Sequence, residues 1–258
     1  MRRLIVNADD FGLDDETVAA TIECFEAGAI SSATIMAGMP GTEKAIAYAK
    51  THPMFSFGVH FCLVDEVPLC SPSDIPSMVN PKTGRLWATR EFIIRNFARL
   101  VCVDDIVKEM MAQYNSIKNS GLPISHVDGH GHNHRLPQSI KALSRLKEAL
   151  GIDRVRRCQD LYISSSRLLG RIVNALMQKK LNEVGFKMTD HFLMACGKTK
   201  EGNWFSKSIP SLPEGVTEIG IHPGKQDHER YIDSMDCLKN GAVLYKELGI
   251  DLITYKEL

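Results

Sequence analysis

Short apolar runs alternate with amphipathic stretches along almost the whole chain. Leu4-Ile5-Val6 reads as a first buried strand, since a brief continuous apolar run suits a strand covered on both faces. Asp14 or Asp15 caps a helix that carries Val18, Ile22 and Phe25 on one stripe and stops at Gly28. The same reading places strands at 31–36, 56–62, 124–128, 154–158, 187–191, 217–221 and 251–255. Helices fall near 42–50, 89–100, 104–120, 138–150, 165–184 and 232–248. Residues 64–88 are rich in proline and have little period, and a structureless segment of that length is often functional. Strand–helix alternation implies parallel strands with right-handed crossovers. Seven or eight such units predict an α/β fold, a (β/α) TIM-like barrel, distorted or seven-stranded, with residues 1–258 as a single domain.

The polar residues follow this pattern. Asp9 and Asp10 follow the first strand, His60 closes the third, and Asp128 and His130 follow the fourth. Arg156 and Arg157 end the fifth, Asp190 and His191 the sixth, and His222 follows the seventh. Barrel active sites are built at the carboxyl ends of the strands, so these side chains are expected to converge on one mouth. The densest stretch is HVDGHGHNH, which sets His126, Asp128, His130, His132 and His134 at every second position. A strand would send all five to one face, and such a face has little use in an apolar core. Imidazole and carboxylate are common ligands of catalytic divalent metals. The Asp9-Asp10 pair invites two jobs, one residue binding a cation and the other accepting a proton from water.

Composition narrows the function classes. With 258 residues, 44% of them hydrophobic, the chain can bury a substantial core. Thirty-one basic residues balance thirty-one acidic ones, so no net field favours nucleic acid or an anionic membrane. The apolar run behind Met1-Arg2-Arg3 is too short for a signal-peptide core, and no window approaches a membrane span, which predicts a cytoplasmic protein. The seven cysteines are dispersed and form no C-x-x-C pair, against a disulfide framework or a zinc finger. Cys62 reads as packing. Trp87 and Trp204 are candidates for stacking on sugar rings.

NADDFG at 7–12, GVHF at 58–61, HVDGHGHNH at 126–134 and EIGIHPG at 218–224 occur in that order. Together they resemble the YdjC family of carbohydrate deacetylases, which includes chitooligosaccharide deacetylases, from Arg3 to about Tyr255. The resemblance implies that Asp10, His60 and His130 hold a divalent metal, Mg²⁺ or Zn²⁺, that Asp9 is the general base, and that His222 is a further active-site histidine. It also implies an acetylated sugar as substrate, and it allows a homodimer. Asp128, His132, Arg156 and Arg157 are expected to bind substrate or to support the ligands. Two departures stand out. Asp128-Gly129-His130 replaces the family's frequent Asp-Ser-His, and Ser234-Met235-Asp236 occupies the stretch where its C-terminal arginine and glutamate occur. Two other readings share these residues: a non-haem iron oxygenase with a two-histidine, one-carboxylate triad, and a sugar-binding barrel without turnover.

Overall fold

The computed structural model describes residues 1–163 and 168–258. Among these, seven strands form one parallel sheet: β1 (Arg2–Phe11), β2 (Ser32–Ile35), β3 (Ser56–Phe61), β4 (Val127–Gly129), β5 (His191–Leu193), β6 (Gly215–Ile221) and β7 (Asp251–Leu252). Their order is β4-β3-β2-β1-β6-β5, with β7 paired to the start of β1. The sheet curls into a distorted (β/α) barrel. Single-residue pairings of Val127 with Val155, Arg154 with Lys187 and Leu161 with Leu193 stand where regular strands would complete it. The predicted strand at 154–158 is therefore reduced to bridges, and the one at 187–191 shifts to β5. The helices are α1 (Asp15–Glu26), α2 (Thr42–Thr51), α3 (Thr89–Phe97), α4 (Val103–Lys118), α5 (Pro137–Leu150), α6 (Leu168–Val184), α7 (Trp204–Ser208) and α8 (His228–Glu247). Residues 165–167 of the expected sixth helix lie outside the described residues.

Alternation along each strand sorts the core from the site. In β1, Leu4, Val6 and Ala8 join the large apolar cluster beneath the helices, while Ile5, Asn7 and Asp9 share the opposite phase. In β3, Phe57, Val59 and Phe61 face the apolar layer, leaving Ser56, Gly58 and His60 on the other side. In β6, Ile219 and Ile221 do the same, leaving Val216 and Glu218. The interior phase begins apolar, with Ile5, Val216, Ile253 and Tyr255 in one small cluster. It becomes polar toward the carboxyl ends. Parallel register (Ala8 beside Ala33 and Ile221, His60 beside Asp128) brings those ends to one level.

The proline-rich segment 64–88 is ordered by side chains, with one isolated bridge between Val79 and Leu86. Buried Glu109 of α4 accepts the backbone N–H groups of Leu69 and Cys70, both at 2.9 Å. Gln113 bonds the N–H and C=O of Cys62, and Asp105 accepts from Ser77. Three polar positions on successive turns of one helix thus satisfy a backbone that has no ladder of its own.

Two measurements test this architecture. A Cβ on Gly58 would lie 2.6 Å from the His126 carbonyl oxygen and 2.8 Å from its ring. Gly58→Ala is expected to cost about 1–3 kcal/mol by overpacking, read as a lower denaturant midpoint; an unchanged midpoint refutes the close approach. Asp14 caps α1, accepting the Thr17 N–H at 2.7 Å. Asp14→Ala should lose about 1 kcal/mol at neutral pH. Burial raises the Asp14 pKa, but the Thr17 and Gln226 bonds outweigh it and lower the folded value. The cap's stability is therefore present above the unfolded pKa and fades as pH falls through the folded one. Denaturation curves of the two proteins should converge below about pH 4.

Candidate metal centre and active site

The adjacent carboxylates Asp9 and Asp10 are both buried because β1 is interrupted between them and Phe11. Its register on β2 slips between Ala8 and Phe11, and Asp10 adopts a left-handed φ of 60°. Aspartate is among the few non-glycine residues that tolerate this region, and strain of this kind gathers at functional sites. A regular strand would send the two side chains to opposite faces. Here Asp10 Oδ1 accepts from His130 Nδ1 at 2.8 Å and lies 3.2 Å from His60 Nε2. Asp10, His60 and His130 offer one donor atom each, all within 4.8 Å of one another.

This set fits a divalent cation. His60 Nδ1 donates to Asp128 Oδ1 at 2.7 Å, while buried Nε2 faces Asp10 Oδ1 and makes no well-aligned hydrogen bond among the described residues. An imidazole tied to a carboxylate through one nitrogen, with the other aimed into a cluster of donors, is the usual form of a metal-binding histidine. Burial disfavours the imidazolium of His60, yet Asp128 and Asp10 raise its pKa to about 10. Positive charge is strongly preferred there. A second group, Asp9, His60 and Asp128, is equally compact. Its cationic place is already taken by Arg156.

Arg156 is fully buried and meets three carboxylates. Its Nη1 and Nη2 donate to the two oxygens of Asp9, each at 2.6 Å. Nη1 also lies 2.7 Å from Asp128 Oδ2, and Nε donates to Glu218 Oε1 at 2.7 Å. Burial raises the Asp9 pKa, but Arg156 outweighs it and holds the carboxyl well below the usual range. Glu218 is pushed up to about 7 by burial, against Arg156 and Tyr255, whose hydroxyl donates to Oε2. Asn7 and Thr34 complete the floor: Asn7 Nδ2 donates to Asp9 Oδ1 at 2.9 Å, and Thr34 Oγ1 donates to Asp128 Oδ2 at 3.1 Å.

The cluster opens into a cavity of about 480 Å³ whose wall includes His130, Lys200, His222 and Arg230. His222 follows β6, and burial drives its imidazole down to about 4. Arg230, in the first turn of α8, reaches Asp10 Oδ2 at 2.5 Å. An arginine therefore does serve this site from the C-terminal region.

Several sequence-predicted residues stand elsewhere. Arg157 points away, bonding the Thr189 carbonyl at 3.3 Å and approaching Asp160, because Arg156 takes the inward phase. Asp190 and His191 lie at the start of β5, where His191 is level with Thr217, five residues before His222, so they cannot share the mouth. The five alternating side chains of HVDGHGHNH do not share one face. β4 ends at Gly129, and Gly131 and His132 turn the chain with φ of 58° and 56°. His126 stacks on Tyr255 with centroids 3.6 Å apart, and His134 Nε2 donates to the Arg156 carbonyl. His132 packs edge-on against Phe192. Asp128 supports His60. Trp204 is buried with its indole N–H on Asp233, and half-buried Trp87 has Arg95 over its ring and donates to the Ser77 carbonyl; neither lines the cavity beside Asp10 and His222. Cys62 is buried as expected.

Thr34, Glu218, Arg230, Lys200 and Asp233 were missed as site residues. The inward phase of β2 and β6 was a usable signal for Thr34 and Glu218. Nothing local marks the other three, which helix and loop packing bring in.

Residues 3–248 match the family described as YdjC-like protein. A carbohydrate deacetylase of Geobacillus stearothermophilus is 30% identical over 268 residues, covering 99% of this chain and 98% of its own. A chitooligosaccharide deacetylase of Serratia marcescens is 33% identical over 153 residues, 58% of this chain and 57% of its own. A crystal structure from Enterococcus faecalis V583, carrying a provisional name for cellobiose-phosphate cleavage, superposes with a TM-score of 0.80 at 22% identity, covering 99% of this chain and 98% of its own. That likeness extends the fold over the full chain. Motif order, the strand-end cluster and these matches agree: the chain belongs to the YdjC-like family.

Proposed function

We propose that the protein is a metal-dependent carbohydrate deacetylase that removes the acetyl group from an N-acetylated sugar, such as N-acetylglucosamine or a chitooligosaccharide, and releases acetate. One observation carries this reading. A three-donor set, Asp10, His60 and His130, sits beside a separate ionised carboxylate, Asp9, at the mouth of a barrel. The relatives named carbohydrate deacetylase and chitooligosaccharide deacetylase supply the substrate class.

Asp10, His60 and His130 would hold the cation, Mg²⁺ or Zn²⁺, leaving other positions open, as catalytic sites require. When bound, it would polarise the acetyl carbonyl and acidify water. Asp9, kept ionised by Arg156, accepts the proton of the attacking water. His222 delivers a proton to the departing amine, since an amide nitrogen leaves poorly without one. Because burial keeps its imidazole neutral in the resting protein, the proton it delivers is the one released by the attacking water and first taken by Asp9. That transfer leaves Asp9 ionised and His222 neutral again at the end of the cycle. Asp128 orients His60. His126 and His134 are buried, which leaves half-buried His132 as the substrate contact among those three. No helix among the described residues is long and apolar enough to cross a membrane. We place the reaction in the cytoplasm, in a single-domain chain able to form a homodimer.

Three results test this reading. Chelator-treated protein should release no acetate from N-acetylglucosamine oligomers until Mg²⁺ or Zn²⁺ is restored, and Asp10→Ala or His60→Ala should stay inactive; undiminished release by these proteins refutes the site. Asp9→Asn should lower kcat by about 10²–10⁴ while metal stoichiometry holds; loss of the metal with the activity would instead make Asp9 a ligand. Metal uptake should displace the His60 proton, so affinity weakens as pH falls. Calorimetry in buffers of different ionisation heat reads that proton directly, and identical heats in all buffers contradict the displacement.

A further inference from the structure

Asp233 of α8 is fully buried. Its Oδ2 accepts the backbone N–H of His222 at 2.8 Å and lies 2.7 Å from Lys200 Nζ, while Oδ1 accepts the Trp204 indole N–H at 2.9 Å. The neighbouring Ser234 Oγ accepts the Gly224 N–H at 2.8 Å and donates to the Gly224 carbonyl at 3.1 Å. His222 and Gly224 lie just beyond the last ladder pair of β6, so the sheet no longer satisfies their backbone. α8 does so instead, with two consecutive side chains.

Lys200 makes this more than a turn cap. A buried carboxylate needs an opposite charge, and a neutral acceptor could satisfy one N–H at lower cost in desolvation. The Lys200 side chain is only 3% exposed and borders the same cavity as His222, Asp10 and His130. It comes from the loop after β5, whereas His222 comes from the loop after β6. The ion pair therefore ties two mouth loops to one helix.

We propose that the Asp233–Lys200 pair, with Ser234, is the positioning element that fixes His222 at the reaction centre. Neither Asp233 nor Lys200 is assigned a role in the chemistry. Both act through the placement of the histidine, and the inference rests on the deacetylase reading for what that histidine does.

The test uses the full, metal-loaded chain with Lys200→Met, Lys200→Arg and Asp233→Asn. Lys200→Met should lower kcat about tenfold or more, the scale of a misaligned proton donor, with KM within about twofold. Lys200→Arg, which keeps the cation, should recover much of the loss. The His222 amide resonance should shift in Lys200→Met, although residue 200 is remote in sequence. A kcat within about twofold of the parent, or a raised KM at unchanged kcat, overturns the proposal; the second outcome would make Lys200 a substrate contact. Should Lys200→Met fail to fold, Asp233→Asn keeps the shape and carries the same comparison. The resonance needs no substrate. A parent protein that releases no acetate while the resonance shifts as expected removes the deacetylase reading and leaves the clamp supported, whereas an unmoved resonance removes the clamp alone.

Discussion

The guanidinium of Arg156 is the interaction on which the mouth of this barrel depends. It is fully buried and faces Asp9 from β1, Asp128 from β4 and Glu218 from β6. Removed from water, any of these ions alone would carry a desolvation penalty of several kcal/mol. Together Arg156 and His60 offset Asp9 and Asp128, burial pushes Glu218 up to about 7, and Asn7, Thr34 and Tyr255 take further lone pairs. Such a network requires that all three strands end at the same height. The parallel register provides that, and the bridges at residues 154–155 bring the arginine to the edge of β4.

The same guanidinium divides the acidic residues into two populations. Asp9 and Asp128 already have a cation. Asp10 faces two imidazoles and Arg230, close to the cavity. His60 stands between the populations, with one nitrogen on Asp128 and the other toward Asp10. A fixed arginine serves each side, Arg156 on Asp9 and Asp128 and Arg230 on Asp10 Oδ2, and only Asp10 also gathers two imidazoles through its other oxygen. Neighbouring carboxylates separated by a single peptide bond thereby acquire different electrostatic surroundings, and the bulge at Asp10 makes that separation geometrically possible.

Much of this was legible in the chain. The apolar runs and the helical stripes between them encode the strand–helix alternation, and the placement of Asp9, Asp10, His60, Asp128 and His222 at strand ends follows from the motifs. The reading of HVDGHGHNH as a continuous face failed for a local reason: two consecutive left-handed residues, Gly131 and His132, end the period-two pattern. The strands expected at 154–158 and 187–191 failed for another. They hold few apolar residues (Val155 and Cys158 in one, Met188 in the other), and the barrel closes there through isolated pairings that only the register of distant segments fixes.

By itself, then, the sequence determined the strand–helix alternation and the residue types available at the strand ends for metal and proton chemistry. These are local properties, set by period and by the residues that stop each element. Tertiary structure alone decided which of two adjacent arginines enters the barrel, which carboxylate gathers the two imidazoles, and that Lys200, Asp233 and Arg230 stand beside His222 and Asp10. Those assignments depend on the phase and height at which distant segments meet, and nothing within a short window of residues carries that information.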